Sequence, residues 1–199
     1  MWDNSRVIAI TNRYLQGHVM TYEKYLEQIR IICSSRPAAL ILREKDLTPE
    51  KYEILAEKVM KICEEENVTG ILHNFVSVAE NMGCDRIHLP LEKLRKLNQE
   101  ERNRFRILGT SVHSLEEARE AEELGVTYLI AGHIFATGCK PGIPPRGLEF
   151  LKMICEAVKI PVYGIGGIPL EDRALNQIYD QGASGACVMS GFMNMSSHI

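Results

Sequence analysis

The sequence predicts a single (β/α)8 barrel, the TIM-barrel class, over residues 1–199, with a shortened or missing last helix. Three observations carry this expectation. Eight short apolar runs alternate with segments of helical periodicity, the pattern of a parallel sheet wrapped by helices. The polar residues of chemical interest lie just after those runs, where barrel strands meet a ligand. The last two runs end in Gly164-Ile165-Gly166-Gly167 and Met189-Ser190-Gly191, which suits the phosphate-holding end of such a barrel. An open doubly wound sheet is the alternative arrangement of the same elements. The count of eight and the two glycine-rich ends favour the barrel.

Taken in order, Val7-Ile8-Ala9-Ile10 is the first strand, and Thr11-Asn12-Arg13 ends it. Tyr22, Tyr25, Leu26 and Ile29 fall at helical spacing within residues 21–33. Arg36-Pro37 then punctuates the chain before a second strand, Ala38 to Leu42. Thr48 is placed to cap the next helix, and Pro49 suits its first turn. Tyr52, Leu55, Ala56, Val59 and Ile62 form its apolar stripe. Gly70 to His73 is the third strand, and residues 77–82 lead to the fourth, Arg86 to Leu89. Leu91, Leu94 and Leu97 suggest a short helix, and Arg106 to Ser111 is the fifth strand.

Ser114 followed three residues later by Glu117 reads as a capping box. Leu115, Ala118, Ala121 and Leu124 line the helix it opens, and Gly125 ends it. Thr127 to Ile130 is the sixth strand. Leu148, Leu151, Ile154, Cys155 and Val158 make an amphipathic helix before the seventh, Val162 to Ile165. A helix of residues 171–181 ends at Gly182, and Ala186 to Met189 is the eighth strand. Only eight residues follow Gly191, too few for an ordinary last helix. The gap is covered by a partner, by the N-terminal segment, or not well at all, and a homodimer is one way of covering it.

The 199 residues are 45% hydrophobic and 25% charged, as suits one soluble domain with a sizeable core. A net charge of −3 implies no broad basic face, so nucleic acid is not an expected partner. Met1-Trp2-Asp3-Asn4 is no secretory start, and no apolar run is long enough to span a bilayer. The six cysteines are scattered without a C-x-x-C, which speaks against a disulfide framework or a zinc site and for a reducing cytoplasm. Cys139 stands apart because it lies in the loop of greatest interest.

That loop runs from Ala131 to Gly142, directly after the sixth strand, and holds His133 and Lys140. A lone histidine is commonly structural. At a strand end near cationic groups, His133 becomes a candidate acid/base group. Arg43 and Lys45 follow the second strand at i, i+2 spacing, which in extended chain points both to one side. They are either solvated surface charges or an anion clamp. Gly166, Gly167, Met189 and Ser190 offer backbone N–H groups to a phosphate, or are simply tight turns. Ser111, Lys140 and Gly142 complete the candidate substrate-binding set. His73, His88 and His113 also sit near strand ends but show no metal-ligand spacing, and read as packing groups or supports behind the site.

Taken in order, these motifs resemble the thiamine phosphate synthase/TenI family. The likeness rests on Leu42-Arg43-Glu44-Lys45, Gly109-Thr110-Ser111-Val112-His113-Ser114, the His133 loop, Gly164 to Ile168 and Val188-Met189-Ser190-Gly191. The family fold is a (β/α)8 barrel, and the family has two activities. Its synthases join an aminopyrimidine diphosphate to a thiazole phosphate using magnesium. By resemblance their metal-binding aspartates fall at Asn74 and Lys93, and the glutamine that contacts the pyrimidine at Ile41, so all three are lost here. TenI-type thiazole tautomerases carry a Gly-His-x-Phe-x-Thr-x-Cys-Lys loop, matched here from Gly132 to Lys140.

The resemblance therefore implies a thiazole tautomerase of thiamine (vitamin B1) biosynthesis. That is an isomerase that aromatises a carboxythiazole phosphate without metal or organic cofactor. His133 would move the proton. Arg43, Lys45 or Lys140 would hold the carboxylate, and the glycine-rich loops the phosphate. Two alternatives stand beside it: a magnesium-dependent thiamine phosphate synthase, and a non-catalytic regulatory protein that binds a phosphorylated ligand.

Overall fold

A computed structural model describes residues 4–15, 18–138 and 142–196 of the chain. The first barrel strand, β1 (Val7–Ile10), is followed by a small antiparallel hairpin, β2 (Tyr14–Leu15) and β3 (His18–Val19). Then come α1 (Tyr22–Ser34), β4 (Ala39–Ile41), α2 (Pro49–Glu65), β5 (Gly70–His73), α3 (Val76–Asn81) and β6 (Arg86–Pro90). Two short helices, α4 (Leu91–Leu94) and α5 (Gln99–Asn103), precede β7 (Ile107–Val112), α6 (Leu115–Glu123) and β8 (Tyr128–Gly132). The chain continues as α7 (Gly147–Ala157), β9 (Val162–Ile165), α8 (Asp172–Tyr179), β10 (Gly185–Val188) and α9 (Ser190–Met193).

Eight of these strands pair in parallel around a closed barrel in the order β1-β10-β9-β8-β7-β6-β5-β4, with β4 returning to β1. The register runs through Ile8, which stands opposite Cys187 on one side and Ala39 on the other. Strands covered on both faces read as unbroken apolar runs rather than alternating ones. Accordingly β1, β5, β8 and β10 are buried at every position. Ile8, Ile10, Ile41, Ile71, Tyr128, Ile130 and Cys187 fill the barrel interior. The other faces meet the helices through residues such as Leu40, Leu72, Tyr52 and Ile154.

The predicted caps hold with one exchange. Thr48 accepts the Lys51 N–H, and Pro49 opens α2. Ser114 accepts the Glu117 N–H at 3.2 Å, but the Glu117 carboxylate takes the backbone N–H of His113, one residue before the cap, so the expected reciprocal box is only half formed. The full capping box lies at α5, where Asn98 and Glu101 each accept the other's backbone N–H. Gly125, with φ of 82°, closes α6 as expected.

The end of the barrel carries the shortened last helix that the sequence implies. The four-residue α9 takes the place of a full last helix and buries Phe192 and Met193. The Gln28 side-chain amide of α1 ties it down by donating to the carbonyls of Phe192 at 2.8 Å and Met195 at 3.0 Å. Among the described residues, no helix is long and apolar enough to cross a membrane.

Candidate active site

The C-terminal ends of the strands surround a cavity of about 1120 Å³. Eight of the sequence-predicted site residues line it: Arg43 and Lys45 after β4, Ser111 in β7, His133 after β8, Gly166 and Gly167 after β9, and Met189 and Ser190 after β10. Two do not join them. Gly142 is exposed and away from the cavity wall, and Lys140 lies outside the described residues, as does Cys139.

Arg43 and Lys45 face the cavity because Glu44, between them, points the other way. Its carboxylate is 1% exposed. One oxygen accepts the hydroxyls of Thr11 (2.8 Å) and Tyr25 (2.7 Å), and the other accepts the Arg13 backbone N–H (3.1 Å). Burial raises its pKa, while the bonds from Tyr25, Arg13 and Thr11 pull the other way. Thr11 in turn accepts the Arg43 N–H at 2.9 Å. The cationic segment is thus anchored from beneath to the end of β1 and to α1. Beside it, the Tyr52 hydroxyl donates to the Leu42 carbonyl at 2.6 Å and accepts the His73 N–H at 2.8 Å, which fastens the end of β4 to β5.

The late glycine loop has a packing reason as well as a chemical one. Gly166 has φ of 104° and Gly167 has φ of 68°. A side chain at Gly166 would overlap His133, and one at Gly167 would overlap the backbone at Phe135 and Ala136. The Ile134 and Phe135 N–H groups donate to the carbonyls of Ile165 and Gly166. These glycines therefore let the His133 loop lie flat against the end of β9. His133 is 5% exposed, and its Nε2 lies 3.3 Å from the Ile143 carbonyl oxygen.

His73, His88 and His113, expected behind the site, all stand in the cavity wall. His73 and His88 stack with centroids 5.9 Å apart and are 5% and 3% exposed. Burial, with the Lys45 and Arg43 charges beyond it, pushes His88 down to about 3. Burial, then His88, Lys45 and Arg43, pushes His73 down to about 2. Both rings are neutral acceptors and donors at physiological pH. Asn12, Glu92, Arg95 and Glu117 also line the cavity, beyond the candidates that the sequence offers. Their signal was the same one that marked Arg43, a polar residue shortly after a strand.

The positions that resemble the synthase metal ligands do not fit a divalent cation. The Lys93 ammonium donates to the Asn74 backbone carbonyl at 3.1 Å, so the pair already holds one positive charge. A lysine repels a hard cation and an amide gives a weak ligand. Among the described residues no group of three or more His, Cys, Asp or Glu side chains could hold a metal ion. Ile41, at the position of the pyrimidine-contacting glutamine, is 1% exposed inside the barrel.

The family model for thiamine monophosphate synthase (TMP-TENI) matches residues 7–192. The chain belongs to this family. A thiamine-phosphate synthase of Clostridium acetobutylicum is 37% identical over 158 residues, covering 77% of this chain and 72% of that protein. One of Syntrophomonas wolfei is 32% identical over 200 residues, covering 98% and 90%. The solved thiamine phosphate pyrophosphorylase of Pyrococcus furiosus superposes with a TM-score of 0.78 at 29% identity, over 97% of this chain and 90% of that one. These relatives correct the expected activity. They bear the name of the synthase, a transferase, and not of a tautomerase, an isomerase. Neither the Gly132–Lys140 motif nor the absence of aspartates at positions 74 and 93 therefore suffices to mark a tautomerase.

Proposed function

We propose that this chain is a transferase of the thiamine-phosphate synthase type, joining an aminopyrimidine diphosphate to a thiazole phosphate. The observation that carries the reading is that one cavity of about 1120 Å³ contains both the Arg43–Lys45 clamp and the glycine-rich ends of β9 and β10. Two phosphorylated substrates need two anion-holding stations in one chamber. The synthase names of relatives that match most of this chain support the same reaction.

In the condensation the thiazole ring nitrogen forms a bond to the pyrimidine methylene carbon. The carbon–oxygen bond to the diphosphate breaks, and inorganic pyrophosphate leaves with the bond's electrons. Arg43 and Lys45 face that growing negative charge, which is where fixed cations lower a barrier. The backbone of Gly166, Gly167, Met189 and Ser190 would hold the thiazole phosphate, and this remote grip aligns the ring nitrogen with the methylene carbon. The neutral rings of His73 and His88 offer hydrogen bonds to the heterocycles without adding charge. His133 would serve as a wall of the chamber and a hydrogen-bonding group. Among the described residues the free thiols of Cys33, Cys63, Cys84, Cys155 and Cys187 support a cytoplasmic setting.

The test is to incubate the protein with both substrates, with and without magnesium, and to separate the products by chromatography. Thiamine phosphate and pyrophosphate are expected in equal amounts. A folded protein that binds both substrates and releases neither product would overturn the proposal.

A further inference from the structure

We propose that Tyr128, His88 and Ser111 form a one-way hydrogen-bond relay, which makes the Ser111 hydroxyl an obligate donor to an oxygen of the phosphorylated ligand. The relay starts inside the barrel. Tyr128 is 5% exposed, and its ring stands edge-on to Tyr163 with centroids 6.0 Å apart. It occupies the space left by Gly109, its neighbour across β7 and β8, where any side chain would overlap the ring. Its hydroxyl lies 3.0 Å from His88 Nδ1, and among the described residues it has no second partner.

Direction follows from that isolation. A phenol hydrogen buried without an acceptor gives up its hydrogen bond to water with nothing in return. The Tyr128 hydroxyl therefore donates, and Nδ1 accepts. His88 is neutral, being buried, stacked on His73 and faced by the Arg43 and Lys45 charges. A neutral imidazole whose Nδ1 accepts carries its one proton on Nε2. That N–H donates to Ser111 Oγ at 2.9 Å.

Ser111 cannot return its own proton to His88. It has no other acceptor among the described residues, and it lines the cavity. Its hydrogen thus points at whatever the cavity holds. Phosphoryl oxygens accept and never donate when ionised, so a serine poised this way discriminates for them. Run in reverse, the relay would present serine lone pairs to the anion and repel it. Tyr128 is a positioning residue that acts through His88. The identity of the ligand rests on the synthase reading above, whereas the direction of the relay does not.

The experiment is nitrogen-15 NMR of the imidazole rings in the full-length protein near neutral pH, with calorimetry using inorganic pyrophosphate as the probe. In the wild type His88 is expected as the Nε2–H tautomer, with Nδ1 unprotonated. In Tyr128→Phe the Nδ1–H form should gain population. Pyrophosphate should bind roughly tenfold more weakly to Ser111→Ala, the loss of one hydrogen bond to a charged acceptor. A wild-type His88 found as the Nδ1–H tautomer or as imidazolium would overturn the relay. Undiminished pyrophosphate binding by Ser111→Ala would overturn the donor role. Should Tyr128→Phe not fold, the wild-type spectrum and Ser111→Ala still decide. Neither readout needs turnover, so a failed synthase assay would be told apart from a failed relay.

Discussion

Arg43, Glu44 and Lys45 divide their work by direction. Extended chain sends alternate side chains to opposite sides, so two cations reach the cavity while the carboxylate between them anchors the segment. Replacing Glu44 by alanine would strand the donors of Thr11, Tyr25 and Arg13 in a dry place. That should cost about 2–4 kcal/mol, read as a lower urea midpoint, with Glu44→Gln costing less because an amide oxygen still accepts. Arg43→Ala acts elsewhere. It should raise the KM for a phosphorylated substrate by roughly tenfold and weaken the salt dependence of binding, while the urea midpoint stays near that of the wild type. A lost midpoint with an unchanged KM would reverse these roles. The i, i+2 spacing of the cations was legible in the chain. The fate of Glu44 was not, because its partners Thr11 and Tyr25 are 33 and 19 residues away.

Elements that bury an apolar face could be read from the chain even when short, and elements without one could not. Each of the eight barrel strands lies within two residues of its predicted place, since a strand covered on both faces writes a plain apolar run. The hairpin β2–β3 has two residues per strand, too few for any alternation. Helix α5, Gln-Glu-Glu-Arg-Asn, has no buried residue and hence no apolar stripe. Its stability rests on the Asn98–Glu101 box, so Asn98→Ala should lower the unfolding free energy by about 1 kcal/mol, measured by urea titration. The pairing of β7 with β8 predicts a larger effect at Gly109. Alanine there overlaps the Tyr128 ring, and overpacking of this kind costs about 1–3 kcal/mol. A drop in melting temperature with a disturbed His88 signal is expected. A variant as stable as the wild type would mean that the ring is free to move. The site histidines carry no local signal in the sequence for a related reason. His88 meets Tyr128 only through closure of the barrel, 40 residues apart in the chain.

At the scale of the whole molecule, the closed barrel brings residues from β4 to β10 into one chamber and pays for it with two buried neutral imidazoles. That has a pH consequence of definite sign. His73 and His88 sit at about 2 and about 3 in the folded protein, against about 6.5 in an unfolded chain. Above the unfolded value both states are neutral, and stability is intact. As pH falls below it, the unfolded chain takes up protons that the folded one refuses, so stability is lost progressively toward about pH 3. Glu44, with its pKa raised, runs the opposite way and returns some stability only in the carboxylate range. Moving from about pH 7.5 to about pH 5.5 should therefore cost roughly 1 kcal/mol for each histidine, measured by urea titration. An unchanged midpoint would mean that the rings are charged or solvated.

The most direct single measurement is the rate of pyrophosphate release when aminopyrimidine diphosphate and thiazole phosphate are mixed with the wild type, with Arg43→Ala run alongside. Release that needs both substrates, and that falls in a folded variant, is the expected result. Release that is absent in a folded wild type, or that proceeds without the thiazole, would contradict a chamber built to join two phosphorylated rings.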